Sequence, residues 1–209
     1  MKRILRIGIM GGTFDPIHRG HVGVAKQVKE RFQLDQVLFI PTGDPHFKQG
    51  MTSASPQDRL VMTQLAIRDI DGFIASDMEV CREGVTYSVD TLEELSRLHP
   101  NDSFFFILAS DAATQLHRWY RVERLAQLCD FIVVSRPGYP FDEALIHNLG
   151  LVPGLRYVLL DGLSYDVSST GLREALAAGE SVEDWLDPAV AEYIRSHGLY
   201  VGHESDGRS

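Results

Sequence analysis

Cysteine is scarce in this chain. Only Cys81 and Cys129 occur in its 209 residues. They lie far apart and in or beside apolar segments, so buried thiols are expected, in keeping with a reducing cytosol. Positive charge is also short: 20 Lys and Arg against 29 Asp and Glu leave a formal net charge of −9. That balance argues against nucleic acid or an anionic membrane as a partner. No uncharged apolar run approaches bilayer-spanning length. The basic start Met1-Lys2-Arg3 leads into an apolar stretch interrupted by Arg6 and Gly8, which reads as a strand and not a signal peptide. A soluble, cytoplasmic protein is expected. Internal repeats and low-complexity linkers are absent as well. No Gly-x-Gly-x-x-Gly follows the first apolar run, so a hydride-transferring Rossmann enzyme lacks support. No Gly-Lys-Thr/Ser closes the loop, which removes the Walker-type NTPases.

What is present is alternation. Apolar runs at 4–10, 36–41, 73–75, 103–109, 131–134 and 156–160 read as strands. Between them, 56–70, 89–98, 119–128 and 141–149 carry helical patterns, as does the stretch holding Val22, Ala25, Val28 and Phe32. Strands alternating with helices predict an α/β fold, a doubly wound and mainly parallel sheet with right-handed crossovers. The C-terminal quarter adds a small helical part. Ser168-Ser169-Thr170 precedes one helix start, and Asp187-Pro188 supplies an N-cap and a first-turn proline for another. Residues 1–201 are expected to form one domain, and 202–209 a polar, disordered tail.

In such sheets ligands sit beyond the carboxyl ends of the strands, and the turn after the first strand is unusual. It reads Gly11-Gly12-Thr13-Phe14-Asp15-Pro16-Ile17-His18-Arg19-Gly20-His21. A strand passing through glycines into a helix aims backbone N–H groups and the positive helix end at one spot, which suits phosphate. His18 and His21 lie three residues apart at the helix entry, about one turn, and can donate to the same anion. A bare Gly-Gly turn would need only packing to explain it. The combination with Thr13 and two spaced histidines points to phosphate chemistry.

His18-Arg19-Gly20-His21 resembles the H-x-G-H signature of the nucleotidyltransferase superfamily, and the longer string is similar to bacterial nicotinate-nucleotide adenylyltransferases. The related pantetheine-phosphate adenylyltransferases usually carry Thr at the place of His18. A second match lies near the other end. Val167-Ser168-Ser169-Thr170-Gly171-Leu172-Arg173 resembles the superfamily's I-S-S-T-x-x-R. By themselves these residues fit either ordinary N-capping or an anion site completed by a bidentate arginine. The resemblance spans nearly the whole chain up to the tail, and it implies a Rossmann-like nucleotidyltransferase fold.

The same resemblance suggests an acceptor site. The loop Pro41 to Lys48 stands where the family usually has Pro-His-Lys, whose lysine reaches phosphates. Here Phe47 separates His46 from Lys48, and which of the two keeps the role is open. Thr86-Tyr87-Ser88-Val89-Asp90-Thr91-Leu92 is similar to a family segment whose backbone meets the pyridine carboxylate, although Ser88 could simply cap a helix. Asp111 matches the aspartate of Gly-x-Asp, with Ala109 in place of glycine, and could bind a ribose or cap a helix. Trp119-Tyr120 matches a tryptophan that stacks on the nicotinate ring; in isolation a tryptophan near a helix start is more often core.

The resemblance thus implies transfer of the adenylyl group of ATP to nicotinate mononucleotide, giving deamido-NAD and pyrophosphate. His18, His21, Lys48 and Arg173 are the expected catalytic groups. Gly11, Gly12, Thr13, Phe14, Ser168, Ser169 and Thr170 are expected to hold ATP phosphates. His46, Thr86, Tyr87, Asp111, Trp119 and Tyr120 are expected to hold the acceptor. Lys48, Arg59, Arg118 and Arg173 could supply local positive charge, although Arg59 could equally be a surface residue. Mg²⁺ is expected to arrive bound to ATP, because no carboxylate cluster suggests a dedicated metal cage. The partners are then ATP and nicotinate mononucleotide, and a homo-oligomer is compatible with the sequence. Two other readings stay open: an adenylyltransferase for nicotinamide mononucleotide or phosphopantetheine, and a nucleotide-binding regulator without turnover.

Overall fold

The computed structural model describes residues 3–45, 54–162, 165 and 167–201. The first half runs β1 (Arg6–Gly12), α1 (Arg19–Arg31), β2 (Gln36–Pro41), β3 (Asp44–Pro45), α2 (Pro56–Ile67), β4 (Phe73–Ala75), β5 (Val85–Thr86) and α3 (Ser88–Leu98). The second half continues with β6 (Ser103–Ala109), α4 (Ser110–Ala113), α5 (Val122–Leu128), β7 (Asp130–Val134), α6 (Glu143–Gly150), β8 (Tyr157–Leu160), α7 (Ser169–Ala177) and α8 (Pro188–Ser196). Six strands form one sheet in the order β4-β2-β1-β6-β7-β8, and every pairing in it is parallel. The two-residue strands β3 and β5 pair separately.

A sheet covered on both faces needs strands that are apolar on both sides, and β6 and β7 meet this. Phe104, Phe106 and Leu108 join Phe131 and Val133 in a core with Leu92 of α3, Leu125 of α5 and Leu145 of α6. Ile107, Ile132 and Val134 face the opposite way, into a core with Val28 of α1, Met62 of α2, Leu172 of α7 and Val190 of α8. The predicted doubly wound architecture is therefore present, and the C-terminal helices α7 and α8 pack on the α1–α2 face.

Several expectations shift. The apolar run predicts β1 over 4–10, yet the strand spans Arg6–Gly12, because Gly11 and Gly12 still pair with Ile40 and Pro41 of β2. The helix expected from Trp119 starts at Val122, since Arg121 adopts a left-handed backbone (φ 49) as its N-cap. Tyr87, not Ser88, caps α3. Cys129 is buried as expected, but Cys81 is exposed, on a turn between β4 and β5 and outside either core. No helix among the described residues is long and apolar enough to cross a membrane. The tail expectation for 202–209 lies outside the described residues.

Candidate active site

Strand order reverses between β1 and β6, and a cleft of about 1140 Å³ opens at their carboxyl ends. Single-ligand pockets span roughly 300–1,000 Å³, so this cleft has room for two nucleotides. Gly11, Gly12, Thr13, Phe14, His18 and His21 line it from the β1–α1 side. His18 is the N-cap of α1 and His21 its third residue. The two rings stack with centroids 3.7 Å apart, and Phe14 braces His21 edge-on at 5.1 Å. The backbone N–H of His18 donates to Nδ1 of His21 at 3.3 Å. An imidazole that accepts at Nδ1 carries its proton on Nε2, so this bond sets His21 as an Nε2–H donor.

Glycine at position 20 follows from the close approach of the two motifs. A Cβ there would stand 2.9 Å from Val167 Cγ1 and 3.0 Å from His18 Nδ1. At Gly23 it would meet the Tyr165 hydroxyl oxygen at 2.2 Å. The second motif is bonded to the first. Ser169 Oγ donates to the Pro16 carbonyl at 2.9 Å, and an Arg173 guanidinium N–H donates to the Asp15 carbonyl at 2.7 Å. Ser168 caps α7 by accepting from the Gly171 N–H at 3.1 Å. Ser168, Ser169, Thr170 and Arg173 all line the cleft. The capping and anion-site readings of this segment are thus compatible, and two helix N-termini, those of α1 and α7, open on one space.

Thr86, Tyr87, Asp111, Trp119 and Tyr120 line the other side of the same cleft. Thr86 is buried and fixed by the β3–β5 pairing, opposite Pro45. The Tyr87 and Tyr120 rings lie 4.5 Å apart, and Trp119 leans edge-on against Phe106 at 5.8 Å. Asp111 is not an N-cap; it sits in the first turn of α4 and is ion-paired with Arg136. His46 and Lys48 lie outside the described residues.

Arg59 is the clearest departure from the sequence reading. It is neither a surface charge nor a lining residue of the cleft: it is fully buried. Its guanidinium donates to the Thr13 carbonyl at 2.6 Å, the Thr42 carbonyl at 2.7 Å and the Gly43 carbonyl at 2.9 Å. Arg118, by contrast, does line the cleft. Sequence reasoning also missed Arg136 and Asp15. Arg136 follows the end of β7, a position where the strand end alone signals proximity to the site. Asp15 reads in sequence only as part of a turn, yet it is 3% exposed and its carbonyl holds Arg173.

Burial, then the nearby Arg136 charge, lowers the pKa of His18 from 6.5 to about 4. Its Nδ1 is buried without a hydrogen-bond partner, so the ring stands neutral at physiological pH. The folded pKa lies below the unfolded one. Folded-state stability is therefore complete above about pH 6.5 and declines as pH falls toward 4, where the unfolded chain takes up the extra proton. Urea unfolding between pH 7 and 4.5 should show a smaller loss of stability in His18→Gln than in the wild type. Parallel pH dependences would refute the neutral assignment.

Residues 9–175 match the cytidylyltransferase-like family. A probable nicotinate-nucleotide adenylyltransferase from Synechococcus sp. (strain JA-3-3Ab) is 40% identical over 196 residues, covering 94% of this chain and 95% of the relative. One from Dehalococcoides mccartyi (strain ATCC BAA-2266 / KCTC 15142 / 195) is 42% identical over 201 residues, covering 94% and 97%. Among solved structures, Plasmodium falciparum nicotinic acid mononucleotide adenylyltransferase complexed with NaAD superposes with a TM-score of 0.78 at 23% identity, covering 94% of this chain and 97% of that one. That structural likeness carries the fold; the identity and span of the bacterial relatives carry the rest. This chain belongs to the nicotinate-nucleotide adenylyltransferase family of nucleotidyltransferases.

Proposed function

We propose that this chain transfers the adenylyl group of ATP to nicotinate mononucleotide, forming deamido-NAD with release of pyrophosphate. The observation that carries this reading is the union of the two motifs: α1 and α7 present their N-termini to one cleft and are bonded through Ser169–Pro16 and Arg173–Asp15. The acceptor phosphate is already an anion, so in-line attack on the α-phosphorus of ATP needs no general base. Catalysis is then positioning plus stabilisation of charge on the transferring group. In our reading His18 and the Nε2–H of His21 donate to α-phosphate oxygens, beside Thr13 and the Gly11-Gly12 backbone. Arg173, with Lys48, neutralises the leaving pyrophosphate. A divalent cation, which we take to be Mg²⁺, accompanies ATP and offsets phosphate charge. Imidazoles, hydroxyls, an arginine and backbone N–H groups face this part of the cleft, a donor set that suits phosphate oxygens and fits a cation carried in on the nucleotide.

Pyrophosphate release on mixing ATP with nicotinate mononucleotide, nicotinamide mononucleotide or phosphopantetheine tests the assignment. Turnover with the first is expected, and turnover with none would favour a nucleotide-binding regulator. Acid and amide acceptors differ in one group. Backbone N–H donors near Thr86 and Tyr120 can pair with both carboxylate oxygens, whereas a carboxamide turns its NH₂ toward one donor. An unsatisfied buried donor costs ~1–3 kcal/mol, roughly a tenfold to hundredfold or greater preference for the acid. Trp119 stacks on either ring and supplies affinity more than discrimination. In Trp119→Ala, kcat/KM should fall for both acceptors while their ratio changes less. Equal use of the amide by the wild type would overturn the acceptor assignment and leave adenylyl transfer standing.

A further inference from the structure

Beyond α8 the chain returns to the catalytic turn. Gly198 (φ 60) and the Leu199 N–H bond to the Ile194 carbonyl, at 3.0 Å, close the helix. Tyr200 then adopts a left-handed backbone (φ 62), a conformation a non-glycine residue keeps only where its surroundings hold it. Its hydroxyl donates to Asp15 Oδ1 at 2.7 Å, 185 residues away in sequence. The same oxygen accepts from the Ala54 N–H at 3.1 Å. The other oxygen, Oδ2, lies 3.9 Å from Arg173, whose guanidinium also reaches Thr170 Oγ1 at 3.4 Å. Burial and the bond to Asp15 push the Tyr200 phenol pKa strongly upward, so it remains a donor.

We infer that Tyr200 is a positioning residue for ATP: its hydroxyl occupies the Asp15 carboxylate and thereby keeps Arg173 turned to the cleft. The inference rests on the phosphate role given to Arg173 above. A buried carboxylate seeks donors on both oxygens. Without the Tyr200 hydroxyl, Asp15 Oδ1 loses a 2.7 Å bond. Arg59 cannot make up for this, because three carbonyls fix it. Arg173 can, since a small rotation converts its 3.9 Å approach into a two-pronged ion pair with Asp15. That pair would draw the guanidinium away from the phosphates. Tyr200 thus holds the arginine at a distance where it is oriented but not captured.

The test compares Tyr200→Phe with Tyr193→Phe. Tyr193 makes the same kind of bond from α8, to Asp58 Oδ1 at 2.8 Å, but neither partner lines the cleft. Calorimetric binding of α,β-methylene-ATP is the main readout, alongside circular-dichroism melting. Tyr200→Phe should weaken binding at least tenfold, whereas Tyr193→Phe should stay within twofold of the wild type, with comparable melting losses in both. In an Arg173→Ala background, adding Tyr200→Phe should change binding less than twofold, because the residue acts through the arginine. Binding by Tyr200→Phe within twofold of the wild type, equal losses in the two tyrosine variants, or a full additional loss in the Arg173→Ala background would each overturn the inference. Pyrophosphate release by the wild type is measured separately, so a wrong acceptor assignment shows there and leaves the binding comparison intact.

Discussion

His18→Ala and His21→Ala should each lower turnover by ~10²–10³, the usual cost of removing one preorganised donor to developing charge, while the protein stays folded. His21 Nδ1 is bonded to the His18 backbone N–H, so its remaining nitrogen is a donor held by the first turn of α1. Its orientation is fixed before substrate arrives, by the stack on His18 and the edge of Phe14. That is the condition under which a hydrogen bond stabilises a transition state without reorganisation. His18 makes a sharper case. Its Nδ1 is buried with no hydrogen-bond partner from the protein, and such an atom costs stability. A residue kept for folding would not carry that cost, so His18→Ala should melt within a few degrees of the wild type despite its large kinetic defect. Measured kcat for ATP and nicotinate mononucleotide, together with thermal melting, decides the matter. Near-normal turnover in either variant would remove the histidines from catalysis. A large loss of melting temperature in His18→Ala would mark the ring as structural.

The histidine pair was legible in the sequence because its geometry is local. Three residues of helix and the strand before them determine where His18 and His21 stand. The same holds for Ser168 to Arg173 on α7. The cleft lining was legible for a second reason: strand ends in a doubly wound sheet converge, so Thr13 after β1 and Asp111 after β6 had to share a space. What could not be read is who holds these groups from behind. Asp15 meets Tyr200 across 185 residues, and Asp111 meets Arg136 across 25; no periodicity encodes such pairs. Cys81 was misjudged because an apolar neighbourhood in sequence became an exposed turn. Arg59 was misjudged because a charged residue in the first turn of a helix ordinarily faces solvent, and nothing local to Pro56–Ile67 announces three waiting carbonyls.

Those carbonyls make Arg59 the site of the largest expected loss of stability. The Thr13 carbonyl follows β1, whereas those of Thr42 and Gly43 follow β2, so one guanidinium staples the two loops that form the floor of the cleft. Arg59→Met keeps the apolar stem and removes every donor. The Gly43 carbonyl is then stranded inside the protein, and the half-buried Thr13 and Thr42 carbonyls lose their partner. Asp15, whose charge helps to keep Arg59 protonated, loses a neighbouring cation. Breaking a buried charged network from one side costs about 3–5 kcal/mol, a large share of the ~5–15 kcal/mol that holds a domain folded. For a chain of this length each kcal/mol moves the melting temperature by ~2–4 °C, so a drop of roughly 6–20 °C is expected. Arg59→Lys should recover only part of it, because a single ammonium cannot span carbonyls on two loops in the way a planar fork does. The competing role is a phosphate ligand, as the sequence suggested, and it predicts the reverse pattern: an unchanged melting temperature with a raised KM for ATP. Thermal melting and ATP kinetics on Arg59→Met separate the two, and a variant that melts with the wild type would show that these loops hold together without the arginine.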